Sequence, residues 1–322
     1  MTRTHLVTGV AGFIGSHTAV SLLERGDRVI GLDNFNDYYS PERKRKNLRE
    51  VGEEAPAGRL EVVEGDLRDR ALLARLFREH RFDSVIHLAA MAGVRASVDD
   101  PALYLDVNLG GTLNLLEATR EHGKPNFVFA STSSAYGATP RVPFREDDPA
   151  DRPLAPYPAS KRSAELLGHA YHHIHELDFT ALRFFTVYGP RGRPDMLTYK
   201  LLDAIRTGQP IPLYQRGQIL RDWTYVGDTV AGIVAAADRR LGYEIVNLGR
   251  GEPVLVADFV ATFERLTGKK VPTVDSPLPK ADVERTHADI EKARRLLDYA
   301  PAVSVEEGAR HFHAWFERSV GW

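Results

Sequence analysis

Tyr157 and Lys161 stand four residues apart in the segment Tyr157-Pro158-Ala159-Ser160-Lys161, so on a helix they share one face. A phenol, with an ordinary pKa of about 10, serves as a base near neutral pH only where positive charge lowers that value. The Lys161 ammonium is expected to do so while donating a hydrogen bond to a ribose hydroxyl. Pro158 suits the first turn of such a helix and directs Tyr157 towards an extended entry. The same spacing also describes an ordinary pair on a helix surface, so the reading depends on what else the chain carries.

It carries a glycine run. Thr8-Gly9-Val10-Ala11-Gly12-Phe13-Ile14-Gly15 follows the apolar Leu6-Val7, and its spacing is Gly-x-x-Gly-x-x-Gly rather than Gly-x-Gly-x-x-Gly. The context is that of a strand, a turn and a helix. Phe13 to Arg25 predicts a helix stopped at Gly26, and Arg28 to Asp33 predicts the next strand. Small residues there let backbone N–H groups approach a pyrophosphate at a helix N-terminus. Asp33 falls about twenty residues past the turn, where a carboxylate accepts from both ribose hydroxyls and repels a 2′-phosphate. NAD is therefore expected rather than NADP; the alternative is a plain βαβ unit whose glycines serve packing. A third chemical group is expected from Ser131-Thr132-Ser133-Ser134, at the carboxyl end of the predicted strand Phe127 to Ala130. Read alone, that segment also fits a polar loop with capping serines.

The elements that must position these groups alternate. Strands are predicted at Leu60 to Val63, Ser84 to His87, Phe127 to Ala130 and Thr180 to Arg183. Helices are predicted around Ala71 to Phe77, Leu103 to Glu121 and Pro158 to His175. The fold class is α/β, a doubly wound parallel sheet of Rossmann type with a smaller C-terminal substrate-binding region. Residues 1–183 are assigned to cofactor binding, with the strand near 243–247 returning to that unit, and 184–322 mainly to the substrate, interleaved. The charged stretch Glu42 to Glu54 predicts a solvated helix-loop insertion, with phosphate binding a minor alternative.

The 322 residues, 43% of them hydrophobic, suffice for a sizeable core, and a net charge of −2 gives no reason to expect nucleic acid or a membrane surface. The absence of cysteine excludes disulfides and thiol chemistry. Met1 to His5 lead directly into a strand with no apolar span, so a cytoplasmic protein is expected. His169, His172, His173 and His175 lack carboxylates at ligand spacing, and no metal is expected.

These motifs together resemble the extended short-chain dehydrogenase/reductases, specifically the nucleotide-sugar epimerases, over nearly the whole chain. Thr8 to Gly15, including Phe13 and Ile14, is similar to the family's glycine motif, Gly65-Asp66-Leu67 to its adenine-contacting turn and His87-Leu88-Ala89-Ala90 to its strand edge beside the cofactor. Asn34 joins Asp33 among the implied cofactor contacts. Arg221 to Val226 resembles the nucleotide-diphosphate motif. The resemblance implies that Tyr157, with Thr132 as relay, takes the proton of the sugar 4-hydroxyl while hydride leaves C4 for NAD. The 4-keto sugar then turns and takes hydride back on its other face. It also implies a homodimer through the helices around Leu103 to Glu121 and Pro158 to His175.

Relatives that dehydrate or decarboxylate resemble Thr-Asp-Glu or Thr-Ser-Glu where this chain has Thr132-Ser133-Ser134, which leaves epimerisation. Arg183 to Met196, with Ala92 to Arg95, is similar to the UDP-glucuronate 4-epimerases. A desolvated glucuronate carboxylate needs a cation and hydrogen bonds, which Arg193, Thr186, Ser133 and Ser134 are expected to supply. Arg193 bound to the diphosphate or to a protein carboxylate is the alternative. Arg221 is expected at the diphosphate, Arg95 among the substrate contacts, and Tyr214 and Gln215 against uracil. Residues 277–284, containing Lys280 and Asp282, depart from the arginine and Pro-Gly-Asp of many relatives; Asp282 is kept as a substrate contact and Lys280 as a replacement cation. The runner-up substrate pair is UDP-glucose and UDP-galactose; a different class of reading is a non-catalytic, NAD-sensing regulator.

Overall fold

A computed structural model describes residues 2–56 and 58–321; Met1, Ala57 and Trp322, and with Met1 the reading of the chain's start, lie outside it. The first part runs β1 (Thr4–Thr8), α1 (Phe13–Glu24), β2 (Arg28–Asp33), α2 (Pro41–Glu54), β3 (Leu60–Glu64), α3 (Arg70–Glu79) and β4 (Ser84–His87). There follow α4 (Ala96–Asp99), α5 (Pro101–Leu105), α6 (Gly111–Glu121), β5 (Asn126–Thr132), α7 (Pro156–His175) and β6 (Phe179–Phe184). Shorter pieces succeed them: β7 (Thr186–Tyr188), α8 (Leu197–Thr207), β8 (Ile211–Tyr214), β9 (Leu220–Arg221), β10 (Trp223–Tyr225) and α9 (Val226–Ala237). The chain ends with β11 (Tyr243–Leu248), β12 (Val254–Leu255), α10 (Val256–Thr267), β13 (Thr273–Ser276), α11 (Glu291–Leu297) and α12 (Val305–Ser319).

Seven parallel strands form one sheet in the order β11-β6-β5-β4-β1-β2-β3. Every residue of β4, β5 and β6 is buried, as expected of strands covered by helices on both faces. On one face Leu22, Val51, Val128, Val230 and Ile233 bring α1, α2 and α9 onto the sheet. On the other, Leu73, Leu76, Leu115, Leu116 and Ala164 do the same for α3, α6 and α7. The order reverses between β1 and β4, and ligands of such sheets bind outside the strands' carboxyl ends at that point.

A separate aromatic cluster, with Tyr188, Trp223, Phe259, Phe263, Phe312 and Phe316, holds α8, α10 and α12 together. Trp223 and Phe259 stack with centroids 3.7 Å apart. Truncating Phe259 to alanine is expected to cost about 3–5 kcal/mol.

Three local expectations are corrected. The helix expected from Leu103 to Glu121 starts at Pro101 and contains a π-helical turn, Asp106–Gly110. The wider turn brings Asn108 inward, where its amide accepts from Met91 N at 2.8 Å and donates to Met91 O and Ser160 Oγ, both at 3.0 Å. The charged segment is not a solvated insertion: α2 buries Lys44, Asn47 and Val51, and Asn47 Nδ2 donates to Ala11 O at 3.0 Å. Helix α7 begins at Pro156, so Tyr157 already lies within its first turn rather than in an extended entry. Among the described residues no helix is long and apolar enough to cross a membrane.

Candidate functional site

The turn after β1 leaves a cradle for an anion. Gly9 has φ +71°, and a Cβ there would lie 2.8 Å from Ala89 N; one on Gly15 would lie 2.0 Å from Gly9 O. Gly12 caps α1 without any side-chain hydrogen bond, and no acidic residue stands in the first turn. The opening N–H groups of α1 therefore keep their capacity for an anion, with the helix dipole behind them. His87, buried and held well below its usual pKa by desolvation, bonds through its ring to Thr8 Oγ1 at 2.8 Å and Thr112 Oγ1 at 3.0 Å. Thr8 Oγ1 accepts from Ala89 N at 3.1 Å, which fixes the strand edge across from the glycines.

Below this turn lies a cavity of about 190 Å³. Gly9, Gly12, Phe13, Ile14, Gly15, Asp33, Asn34, Asp66, Leu67, Ala89, Ala90, Tyr157 and Lys161 all line it, so every residue expected at the cofactor meets there. Asp33 accepts from Ala11 N at 3.0 Å and Phe35 N at 2.9 Å; burial nevertheless pushes its carboxyl up, against these bonds and the nearby Lys44. Asn34 Nδ2 donates to Asp66 at 3.0 Å, while Arg68 holds the Asp66 carboxyl far below its usual range. The donor set suits NAD: open N–H groups for a pyrophosphate, and a carboxylate for ribose hydroxyls.

Tyr157, on α7, lines this cavity and also the next one. Desolvation pushes its phenol up; the largest opposing influence is Arg193, followed by hydrogen bonding with Thr132. Lys161, expected to bring the phenol down, is not among these influences; the cation acting on the hydroxyl comes from the loop after β7. Burial instead lowers Lys161 itself to about 7, opposed by Glu165. Lys161 Nζ lies 4.7 Å from the centre of the Phe129 ring. Glu165 is fully buried with Arg183, which grips it through bonds of 2.9 and 2.7 Å, and it accepts from Ser131 Oγ at 2.5 Å. Removing one partner of such a pair strands the other charge.

The second cavity, about 510 Å³, is lined by Arg95, Ser134, Tyr157, Thr186, Arg193, Tyr214, Arg221 and Asp282, among others. Ser133 opens with Ser134, Thr186, Arg221 and Asp282 into a neighbouring space of about 100 Å³. Arg95 pairs with Asp282 at 2.6 Å and lies 4.5 Å over the Tyr214 ring. Arg221 donates to the carbonyls of Val283 at 2.7 Å and Leu220 at 2.8 Å rather than to a carboxylate. Its charge is therefore held in place without a direct ion pair among the described residues. Arg193 pairs side-on with Asp195, through Nε and Nη2 at 2.9 Å each, and lines both cavities.

Thr132, buried, lines none of these cavities and reaches the site through its hydrogen bond with Tyr157, and two further expected residues stand apart. Gln215 is exposed, turned out by a left-handed φ of +50° that ends β8, and Lys280 is exposed and lines none of these cavities. The described residues contain no cluster able to hold a metal; His172 Nδ1 instead bonds to Leu177 O at 3.0 Å.

Sequence reasoning missed Asn36, Tyr38 and Lys44 in the first cavity and Asp195 in the second. Lys44 Nζ donates to Asn36 O at 2.7 Å and to its Oδ1 at 2.8 Å. The clue was the amphipathic pattern within the charged run, which gives α2 an inner face.

The model of the GDP-mannose 4,6 dehydratase family matches residues 6–312. A UDP-glucuronate 4-epimerase of Thermodesulfobacterium geofontis is 43% identical over 98% of this chain and 97% of its own. Among solved structures, UDP-glucuronic acid 4-epimerase from Bacillus cereus, in complex with UDP-glucuronic acid and NAD, superposes with a TM-score of 0.90 at 33% identity, over 98% of this chain and 99% of that one. A UDP-glucose 4-epimerase of Thermotoga maritima, with UDP-glucose, gives 0.89 at 31% identity over the same shares.

Proposed function

This chain belongs to the GDP-mannose 4,6 dehydratase family of extended short-chain dehydrogenase/reductases, and from that premise we propose that it interconverts UDP-glucuronate and UDP-galacturonate by NAD-dependent epimerisation at C4. The observation that carries the reading is the meeting of Tyr157 and Arg193 on the wall common to both cavities. A base for the 4-hydroxyl and a cation for a carboxylate two carbons away thus face one sugar-sized space.

NAD, held by the glycine turn, Asp33, Asn34, Asp66 and Lys161, supplies the hydride acceptor and donor for C4 when bound. Tyr157 receives the 4-hydroxyl proton and later returns it, and Thr132 hydrogen-bonds its phenolic oxygen. Arg193 favours the phenolate by charge. Lys161, whose pKa burial lowers to about 7, donates to a ribose hydroxyl in its ammonium form. Arg221 meets the diphosphate, and Arg95, stacked on Tyr214, closes over the nucleotide. Arg193, Thr186, Ser133 and Ser134 hold the sugar carboxylate. Firm anchoring there also keeps the 4-keto acid from losing CO₂. Serines at 133 and 134, in place of carboxylic residues, leave no acid or base for elimination at C5 and C6.

The test is product analysis by NMR after incubation with NAD and either UDP-glucuronate or UDP-glucose. UDP-galacturonate from the first alone is expected. UDP-galactose from the second would return Arg193 to a purely structural role, a reading favoured by its pair with Asp195. No product from either would favour the non-catalytic regulator. The proposal includes a homodimer through α5, α6 and α7, supported by Leu105, Leu113 and Leu166, which stand 46%, 40% and 55% exposed on them. Light scattering tests this, with Leu166→Glu expected to give monomers. With the reading goes a cytoplasmic location, which cell fractionation tests.

A further inference from the structure

The reaction outlined above gives no task to the carboxylate nearest its cation. Asp195 takes the Nε and Nη2 edge of Arg193 at 2.9 Å on both bonds, and Arg193 Nη1 makes no hydrogen bond among the described residues. Asp195 is itself tied, for Tyr38 Oη donates to its Oδ2 at 3.3 Å. Tyr38 comes from the loop after β2, lines both cavities, and has room because residue 93 is glycine: a Cβ there would lie 2.4 Å from the phenolic oxygen.

The loop that carries Arg193 is fastened on its other side as well. The His17 ring bonds through Nε2 to Pro190 O at 2.8 Å, and Arg191 Nε donates to Glu50 at 3.0 Å. Helices α1 and α2 thus hold the start of the loop while Tyr38 holds its end. All three anchors belong to elements flanking the first cavity, whereas Arg193, which they orient, lines the second cavity as well.

We propose that Asp195, braced by Tyr38, is a specificity-determining positioning residue that grips one edge of Arg193 so that Nη1 is presented to the carboxylate of a uronic-acid substrate. The inference rests on the substrate reading above. A guanidinium offers separate edges, so one carboxylate can fix it side-on while another binds end-on. A neutral sugar gains less from this alignment, because only a charged oxygen makes the strong form of the bond.

Calorimetric titration of the NAD-loaded enzyme with UDP-glucuronate and UDP-glucose tests it. In Asp195→Asn the ratio of the two dissociation constants, the preference for the acid, is expected to fall about tenfold. Asp195→Glu is expected to recover part of it, and Tyr38→Phe to lower it by a smaller factor. A preference that rises in Asp195→Asn would show the carboxylate competing with substrate for Arg193, and two affinities that fall together would reduce Asp195 to a structural part; either overturns the proposal. If the unaltered enzyme shows no preference for the acid, the substrate reading fails and the proposal with it. A preference in the unaltered enzyme that survives in Asp195→Asn sinks the proposal alone.

Discussion

The two cavities share the wall formed by Tyr157 and Arg193, but they are built by different means. The first is shaped by backbone. Its glycine turn is bonded to the sheet through Gly9 N to Leu32 O at 2.7 Å, and Asp33 is held by two main-chain N–H groups. The second is shaped by side chains that partners hold in place: Arg95 by Asp282 from a distant segment, Arg193 by Asp195 two residues on, and Arg221 by the carbonyls of residues 283 and 284. Backbone concavity suits a ligand that never changes. Paired side chains suit one whose sugar must be selected and then turned.

The largest effect is expected where the cavities meet. Tyr157→Phe removes the proton carrier, and turnover followed by NMR should fall by about a thousandfold; retained turnover would sink the mechanism. Arg193→Ala should separate the two regions: the preference for UDP-glucuronate over UDP-glucose in kcat/KM is expected to drop about tenfold to a hundredfold. A uniform loss for both substrates would blur the distinction. On the backbone side, Gly9→Ala places a side chain at φ +71° against Ala89 N, a strain of about 1–2 kcal/mol, so NAD affinity measured by fluorescence quenching should weaken tenfold or more. At the outer rim, Arg95→Ala removes a half-exposed ion pair and should raise KM for both UDP-sugars only about twofold to fivefold.

The smallest effect concerns pH. Lys161 has a lower pKa folded, about 7, than unfolded, so between that value and its ordinary one the unfolded chain binds more protons and this residue's contribution makes stability rise with pH. The thermal midpoint of the unaltered protein minus that of Lys161→Met should therefore become more positive from pH 7 to pH 9.5. A difference that stays flat would show that Lys161 is not desolvated.

The same contrast governs what could be read from the sequence. Gly9, Gly12 and Gly15 lie in one short segment, and their spacing encodes a turn whose requirements are local, so the glycine turn and the carboxylate beyond it were legible, whereas Asn36, Tyr38 and Lys44 of the same cavity were not. The second cavity depends on which face a loop residue shows. Tyr214 and Gln215 are adjacent, yet β8 ends between them and only the first faces inward. Asp195 stood two residues from Arg193 in plain view, but a pairing across a loop has no periodicity to reveal it. The π-helical turn was invisible for a related reason: it answers to Met91, a partner far away in sequence. Lys44 was hidden by its charged neighbours, although Asn47 and Val51 mark the buried face of α2.

Strand β11 pairs with β6 along its whole length, and α9 packs its Val230 and Ile233 into the core beside α1. A ribosome therefore releases the glycine turn long before residues 226–248, for which the sheet that must support it waits. Until then β6 offers an open edge and the α1 face an uncovered apolar patch. The half of the molecule announced first is among the last to be completed, so the two halves mature together.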